Sequence, residues 1–270
     1  MLNRNRVLER IRKSLETIEN EHSVKILYAC ESGSRAWGFE SRDSDYDVRF
    51  LYIHPRDWYL SIDLESKRDV IELPIDDPLD INGWDFRKAL RLFRKSNPPL
   101  LEWLGSPIVY REDSPAPQKL RDLGEIYHSP NACANHYLHM ARGNFREYLQ
   151  GEEVWLKKYL YVLRPLLAVL WIEKGLGPVP TEFQKVIEKT VIDDKLCHAI
   201  QTLLERKKKG AELDRGPKIP VIGEFIESNF KRLENSPFRF KPNPPPVEVL
   251  NQLFRNALDE NLEKSGFHPN

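Results

Sequence analysis

The sequence is poor in cysteine, has no excess charge of either sign and contains no long apolar run. Its 3 cysteines, Cys30, Cys133 and Cys197, are odd in number and far apart, which argues against a disulfide framework. The 41 basic residues balance the 41 acidic residues, so no global positive field would draw the protein to nucleic acid. Any binding of RNA must therefore come from a local patch.

Signals for membrane insertion or export are also missing. No apolar run is long enough to span a bilayer, and no signal-like apolar segment follows the basic start at residues 1–6. We therefore expect a cytoplasmic protein that makes no contact with a membrane. Cys133, His136 and His139 have helical spacing, but without a fourth ligand nearby they do not predict a zinc site.

The most informative segment is the Gly-Ser stretch of residues 31–38. It lies between two apolar runs, residues 24–30 and 48–53, a pattern that predicts a strand, a tight glycine turn, a short helix and a second strand. Gly33 can adopt backbone angles that other residues avoid, and the amides after it would point together into the mouth of the turn. The hydroxyl of Ser34 and the guanidinium of Arg35 would add donors to the same anion, which predicts a phosphate site.

Two acidic residues follow at a spacing of two. Asp45 and Asp47 would project from the same face of a strand, because side chains on a strand alternate between faces. Two carboxylates this close are unfavourable unless a cation neutralises them. The pair therefore predicts a site for a hard divalent metal, most naturally Mg²⁺.

Gly-Ser, a short spacer and Asp-x-Asp in this order resemble the signature of the DNA polymerase beta nucleotidyltransferase superfamily. The resemblance implies a third carboxylate on a neighbouring strand. Asp80 is the first candidate, because it has apolar neighbours and precedes a helical pattern; Glu72 is the alternative. Asp85 immediately precedes that pattern and is expected to cap the helix.

Residues 79–90, 95–104 and 106–110, taken with the Gly-Ser stretch, are similar to one branch of the superfamily, the RNA repair pathway DNA polymerase beta family. The similarity extends over most of the chain. It is strongest from about residue 31 to 110 and again around residues 157–170. This likeness implies nucleotidyl transfer and suggests a role in RNA repair.

The chain divides by composition near residues 111–117, a charged stretch that contains proline. Upstream, strand and helix patterns alternate, and the apolar face of residues 7–18 predicts a first helix packed on the sheet. Downstream the patterns are almost all helical, with predicted helices at residues 135–149, 154–174, 182–189, 193–209 and 246–264. The predicted architecture is α+β. A polymerase-beta-like nucleotidyltransferase domain, with a mixed sheet flanked by helices, covers residues 1–112, and an α-helical bundle domain covers residues 113–270.

One helix of the second half carries a face suited to a nucleotide. Lys157, Tyr161 and Arg164 lie three to four residues apart, and Lys158 could take the place of Lys157. A cation, an aromatic ring and a guanidinium suit a triphosphate and a stacked base. The basic run at residues 206–209 is interpreted instead as a solvated helix end.

The resemblance implies a two-metal mechanism in which Asp45 and Asp47 hold two Mg²⁺ ions, with Mn²⁺ as a substitute, and Asp80 completes the site. A nucleoside triphosphate would donate its monophosphate to a hydroxyl and release pyrophosphate. The first expected acceptor is an RNA 3′ end. Adenylylation of a protein or a small molecule remains open, as does a noncatalytic nucleotide-binding regulatory module, although the intact acidic triad argues against the last.

Overall fold

A five-stranded mixed sheet organises the first half of the chain in the computed structural model, which describes residues 4–76, 78–209, 215–235 and 245–264. The strands are β1 (Lys25–Glu31), β2 (Tyr46–Ile53), β3 (Val70–Glu72), β4 (Leu79–Asp85), β5 (Val109–Glu112), β6 (Glu153–Trp155) and β7 (Arg215–Pro217). The large sheet has the order β3-β4-β2-β1-β5, and β6 pairs with β7 in a separate two-stranded sheet. Strands β2 and β4 are parallel while the other neighbours are antiparallel, which confirms the predicted mixed sheet.

Helices flank the sheet and make up most of the second half. They are α1 (Arg4–His22), α2 (Gly33–Trp37), α3 (Arg56–Tyr59), α4 (Phe86–Arg94), α5 (Pro98–Leu104), α6 (Ala116–Asp122), α7 (Gly124–Tyr127), α8 (Pro130–Tyr148), α9 (Lys158–Glu173), α10 (Phe183–Thr190), α11 (Asp194–Lys208), α12 (Pro220–Asn235) and α13 (Glu248–Lys264). A 3₁₀ turn lies at Leu64–Ser66. In the described residues, no helix combines the length and apolar character needed to cross a bilayer.

The predicted helices of the second half correspond to α8, α9, α10, α11 and α13, although α8 begins at Pro130 rather than at residue 135. Helix α9 begins at Lys158 rather than at residue 154, because Glu153–Trp155 pairs with Arg215–Pro217. That partner strand is distant in sequence, so no local pattern indicates the pairing. The sequence analysis also did not predict α6, α7 and α12.

The sheet carries helices on both faces. On one face the apolar side of α1 is buried against residues of β1 and β2, as predicted. On the other face α4, α5 and α6 pack against β1 and β2, and α13 joins the same core through Leu250, Leu253 and Ala257. The last helix therefore packs with the first half of the chain, although it falls in the predicted second domain. The boundary between residues 112 and 113 stays a prediction.

A second core lies among the helices that follow. It is built around α8 and α9, with α10, α11 and α12 packed on them. Phe39, which follows α2, is buried in this core, and Trp37 packs against it. The segment after the Gly-Ser turn thus connects the sheet to the helical half of the molecule.

The carboxyl group of Asp85 caps α4, as predicted, and titrates in a buried position. It accepts hydrogen bonds from the backbone N–H of Arg87 at 2.8 Å and from the hydroxyl of Tyr59 at 2.6 Å. Burial raises the pKa of Asp85 from 3.8 to about 6, against the opposing effect of both hydrogen bonds. A raised pKa means that the folded state favours the protonated form, so this contribution to stability is complete below about pH 4 and is lost as the pH rises through about 6.

We expect the Asp85→Asn variant to lose this pH dependence, because asparagine is neutral and can still accept the hydrogen bond of the cap. The difference in unfolding free energy between wild type and variant should change by about 3 kcal/mol between pH 4 and pH 7. Urea unfolding across that range measures it, with Asp57→Asn, an exposed aspartate, as the control. Parallel stability curves for wild type and Asp85→Asn would contradict the assignment.

Candidate active site

The Gly-Ser turn adopts the predicted backbone. Gly33 has φ of 57°, in the left-handed region that favours glycine. A Cβ atom at this position would lie 2.0 Å from Oδ2 of Asp47, so the carboxylate packs directly against the glycine. Ser34, which follows, is buried. Only glycine therefore permits the turn and the carboxylate to lie this close together.

Glu31 joins the turn to the acidic strand. Its Oε1 accepts a hydrogen bond from the backbone N–H of Asp47 at 2.7 Å, and its other oxygen accepts from the hydroxyl of Tyr110. Burial raises the pKa of Glu31 to about 7, while these two hydrogen bonds oppose the rise. The backbone N–H of Ser32 also donates to the carbonyl of Asp47 at 2.8 Å. The two hydrogen bonds with the backbone of Asp47 fix the start of β2 beside the end of β1, and the bond from Tyr110 ties Glu31 to β5.

Three carboxylates gather at the start of β2 and β4, and we call Asp45, Asp47 and Asp80 the acidic cluster. Asp47 and Asp80 lie directly opposite each other on these parallel strands, and Asp45 immediately precedes β2. Burial raises the pKa of Asp47; the positive charge of Arg49 lowers it, and the negative charges of Asp80 and Asp45 add to the rise. Both other acids of the cluster therefore act electrostatically on Asp47.

Glu72, the alternative third carboxylate, lies farther away. It is on β3, opposite Asn82 of β4, and its side chain accepts hydrogen bonds from Asn82 at 2.9 Å and from Arg68. The structure thus brings Asp80, and not Glu72, next to Asp47.

Arg49 is a member of the site that the sequence analysis missed. Its Nη2 donates to Oδ1 of Asp47 at 3.1 Å and to Oδ2 of Asp80 at 2.8 Å. Its Nη1 donates to the carbonyls of Val48 at 3.1 Å and Asp80 at 2.8 Å. Strand alternation places residue 49 on the same face as residues 45 and 47, a signal that would have found it.

The chemistry of the acidic cluster fits a hard divalent cation, because its donors are carboxylate oxygens that already attract a positive group between them. That group is the guanidinium of Arg49. Across the part of the chain that the structure describes, no three His, Cys, Asp or Glu side chains form a ready-made metal cluster. Arg49 pairs with two of the acids, and Asp45 is exposed.

Arg35 lies at the site but is already engaged. Its Nε donates to the carbonyl of Asp45 at 3.0 Å and its Nη2 to the carbonyl of Ser44 at 2.6 Å, and the guanidinium stacks 3.8 Å from the ring centre of Tyr46. These contacts fix the loop that carries Asp45. The sequence predicts a direct contact of Arg35 with phosphate; in this structure its guanidinium binds the loop that carries Asp45 instead.

Tyr161, on α9, lies within the electrostatic influence of the acidic cluster. Burial raises the pKa of its phenol, and the charges of Asp47 and Asp45 add to the rise. Its ring lies 5.7 Å from that of Trp37, measured between centroids, and Lys158 places its ammonium 5.1 Å from the ring centre. The predicted side chains Tyr161 and Lys158 therefore lie beside one another near the Gly-Ser turn.

Lys157 precedes α9 and is exposed. Its ammonium lies 5.6 Å from the ring centre of Trp155. The side chain remains open to solvent at the start of the helix, where a ligand could reach it.

Arg164 does not line an open surface, contrary to the prediction from helical spacing. It is 3% exposed, and its Nη1 donates to Oε1 of Glu102 at 2.7 Å. The same carboxylate accepts from the hydroxyl of Tyr137 at 2.9 Å and from Nε1 of Trp37 at 3.1 Å, and the carbonyl of Thr181 accepts from Arg164 at 3.3 Å. We call these residues the Glu102 network. Because α9 is enclosed at this position, the side chain of Arg164 is buried, and its charge neutralises the buried carboxylate of Glu102.

Lys207 is the second residue that the sequence analysis missed. It is 9% exposed, whereas Lys208 and Lys209 of the same basic run are exposed. Its ammonium lies 4.6 Å from the ring centre of Phe39 and 5.8 Å from that of Tyr161. A spacing of three to four residues places Lys207 on the buried face of α11 with Leu203 and Leu204, and this periodicity was the available signal.

An open cavity of about 580 Å³ adjoins the acidic loop. Arg35, Glu40, Arg42 and Tyr46 line it from the first half of the chain, and Lys208 lines it from α11. Three of these side chains are cationic and one, Glu40, is acidic. The cavity therefore carries an excess of positive charge in a protein whose net charge is zero.

Comparison with known proteins gives a matching family and similar proteins, among them a bacterial relative and a solved structure. A family model described as the RNA repair pathway DNA polymerase beta family matches residues 7–256. The chain is 49% identical over 259 residues to "Uncharacterized protein YcgL" of Bacillus subtilis (strain 168). The aligned region covers 96% of this chain and 99% of that protein. A solved nucleotidyltransferase-like protein from Exiguobacterium sibiricum 255-15 is 12% identical, with a TM-score of 0.32 and coverage of 95% of this chain and 92% of that one.

Proposed function

The chain belongs to the RNA repair pathway DNA polymerase beta family, and from this premise we propose that it is a metal-dependent nucleotidyltransferase. It would move a nucleoside monophosphate from a nucleoside triphosphate to a hydroxyl acceptor, with release of pyrophosphate. The observation that carries the proposal is the close approach of a glycine turn to paired acids. Gly33 lies against the carboxylate of Asp47, and Asp47 lies opposite Asp80.

Asp45, Asp47 and Asp80 are the proposed metal ligands, for two Mg²⁺ ions or Mn²⁺ in their place. Bound divalent metal would supply positive charge that favours deprotonation of the acceptor hydroxyl and offsets charge on the leaving group. Arg49 would then have to give up its contacts with Asp47 and Asp80 or share these carboxylates with the metal. The guanidinium and the two metal ions would compete for the same oxygen atoms.

The nucleotide would bind between the Gly-Ser turn and the start of α9. Amides of the turn at Gly33 and the hydroxyl of Ser34 would hold phosphate oxygens, which aligns the α-phosphorus for attack. Tyr161 and the ammonium groups of Lys157 and Lys158 would face the nucleotide from the helical half. Tyr161 lies in the electrostatic field of Asp45 and Asp47, which supports this arrangement.

Arg35 and Arg164 would act on the nucleotide through other residues. Arg35 holds the loop that carries Asp45 through two carbonyl contacts. Arg164 holds Glu102, which in turn binds the indole of Trp37 on α2. Both arginines would therefore be positioning residues for the acidic cluster and the Gly-Ser turn.

The proposed acceptor is the 3′ end of an RNA. The family description supports this acceptor. The cationic side chains of the cavity next to the loop that carries Asp45 support it too, because a protein with no net charge needs a local positive surface to bind a polyanion. Arg42 and Lys208 would contact backbone phosphates there. A second candidate is adenylylation of a protein or a small molecule, which the net charge of zero favours.

The test incubates the pure protein and Mg²⁺ with each α-labelled nucleoside triphosphate. A defined RNA, a matching DNA and a nuclease-treated cell extract are offered in parallel. Label on RNA that disappears in the Asp45→Asn variant is the expected result. Label only in the extract would move the acceptor to a protein or a small molecule, and no label on any acceptor with any nucleotide would contradict the proposal.

A further inference from the structure

The ammonium group of Lys207 is buried, and removing a charge from water is energetically costly. The side chain emerges from the buried face of α11 and is 9% exposed. In the described part of the chain its contacts are two aromatic rings, Phe39 and Tyr161, rather than a carboxylate. An ammonium group removed from water normally requires a closer counter-charge than ring faces provide.

The charges around Lys207 come from three segments. Lys157 repels it from the start of α9, while Glu40, after α2, and Asp47, on β2, attract it. Burial is the largest influence on the pKa of Lys207 and the charge of Lys157 acts in the same direction; against the attraction of the two acids, they lower that pKa to about 8. Lys207 and Lys157 thus both supply positive charge from the helical half, while the acids lie on the sheet. Cations of one half that face acids which would carry metal suit a polyanion lying between them.

We infer that Lys207, together with Lys157, forms the binding site for the terminal diphosphate of the nucleotide and for the pyrophosphate that leaves. The inference rests on the proposed function and adds to it the residues of the helical half that would bind its condensed phosphates. Phe39 and Tyr161 hold the ammonium of Lys207 by their ring faces, so that its N–H donors remain available to phosphate oxygens. Phe39 follows the Gly-Ser turn directly, which keeps this site next to the phosphates that the turn would hold.

The position of Arg164 strengthens the inference. That guanidinium is occupied by Glu102 and cannot also meet a triphosphate without leaving a buried carboxylate unpaired. Lys207 is a cation of the helical half that is buried near Asp47 and has no such carboxylate partner in the described residues. We therefore assign to Lys207 the contact with nucleotide phosphates that helical spacing predicted for Arg164.

The experiment measures binding of magnesium pyrophosphate and magnesium tripolyphosphate to the full chain by titration calorimetry. Lys207→Met keeps the apolar stem and removes the charge, and Lys207→Arg restores a cation. Lys209→Met is the matched control, because residue 209 belongs to the same basic run but is exposed. We expect binding at least about tenfold weaker in Lys207→Met, the loss typical of one charge-assisted hydrogen bond, with partial recovery in Lys207→Arg and no change in Lys209→Met.

Binding of pyrophosphate requires no acceptor, so this test is independent of turnover. Weaker binding in Lys207→Met would support the site even if no acceptor were ever labelled, in which case only the proposed reaction would fail. Equal affinity in folded wild type and Lys207→Met, or no binding of either phosphate by the wild type, would overturn the inference even if transfer to RNA were observed. Loss of folding is not expected, because methionine removes a buried charge and keeps the apolar contacts.

Discussion

The Asp47→Asn variant should lose nucleotide transfer while remaining at least as stable as the wild type. The carboxylate lies against Gly33 and opposite Asp80, where a metal ligand would act on the transferred phosphate. Asparagine supplies one neutral oxygen in place of two charged ones, and the expected loss in rate is on the order of 10³-fold or more. Stability should not fall, because burial and the charges of Asp80 and Asp45 already disfavour the ionised form of Asp47.

The combination of the two effects distinguishes a ligand from a structural residue. Labelled transfer and urea unfolding are measured on the same preparation, with Asp43→Asn as the control because residue 43 lies in the same acidic stretch and is exposed. That control should keep both activity and stability. Retained turnover in folded Asp47→Asn would remove this residue from the proposed metal site, and inactivity accompanied by large destabilisation would assign it to the fold.

The sequence predicted those parts of the site that are contiguous in the chain. Gly33, Asp47 and the strand on each side follow from local patterns, namely a glycine turn and alternating acids between apolar runs. The choice of Asp80 over Glu72 depends on strand order, which a local pattern does not contain. Apolar neighbours and the family resemblance nevertheless favoured Asp80, and the register of β2 and β4 brings it opposite Asp47.

The errors arose where side-chain roles depend on partners distant in sequence. Arg164 has the spacing of a ligand-binding face, but its partner Glu102 lies 62 residues away and buries it. Lys207 appeared to be one of four solvated charges, yet Phe39 of the opposite half covers it. Helical periodicity indicates which residues share a face. It does not indicate which face another part of the chain will cover.

The Glu102 network explains how a buried ion pair can matter to a site that it does not touch. Glu102 lies on α5 of the first half, and Arg164 and Tyr137 lie on helices of the second. Through Trp37 the same carboxylate holds α2, the helix that begins at Gly33. Disturbing the network should therefore move the Gly-Ser turn relative to the helical half, in addition to destabilising the core.

Arg164→Met should be among the most destabilising single substitutions in the chain. The variant would leave Glu102 buried without its cation, with only the hydroxyl of Tyr137 and the indole of Trp37 as hydrogen-bond donors to its carboxylate. Removing one partner of a buried ion pair typically costs about 3–5 kcal/mol, because the remaining charge stays away from water. Urea unfolding should show a loss of this size. For Arg146→Met, an exposed arginine on α8, the expected change is below about 0.5 kcal/mol.

A second substitution separates the unpaired charge from the lost packing. Adding Glu102→Gln to Arg164→Met neutralises the carboxylate, so the double variant should be more stable than Arg164→Met alone, and the two effects should not add. Full additivity would contradict a direct ion pair. Normal stability of Arg164→Met combined with weakened nucleotide binding would instead support the phosphate-binding role that helical spacing predicted for Arg164. In that case Glu102 would not depend on the guanidinium for its neutralisation.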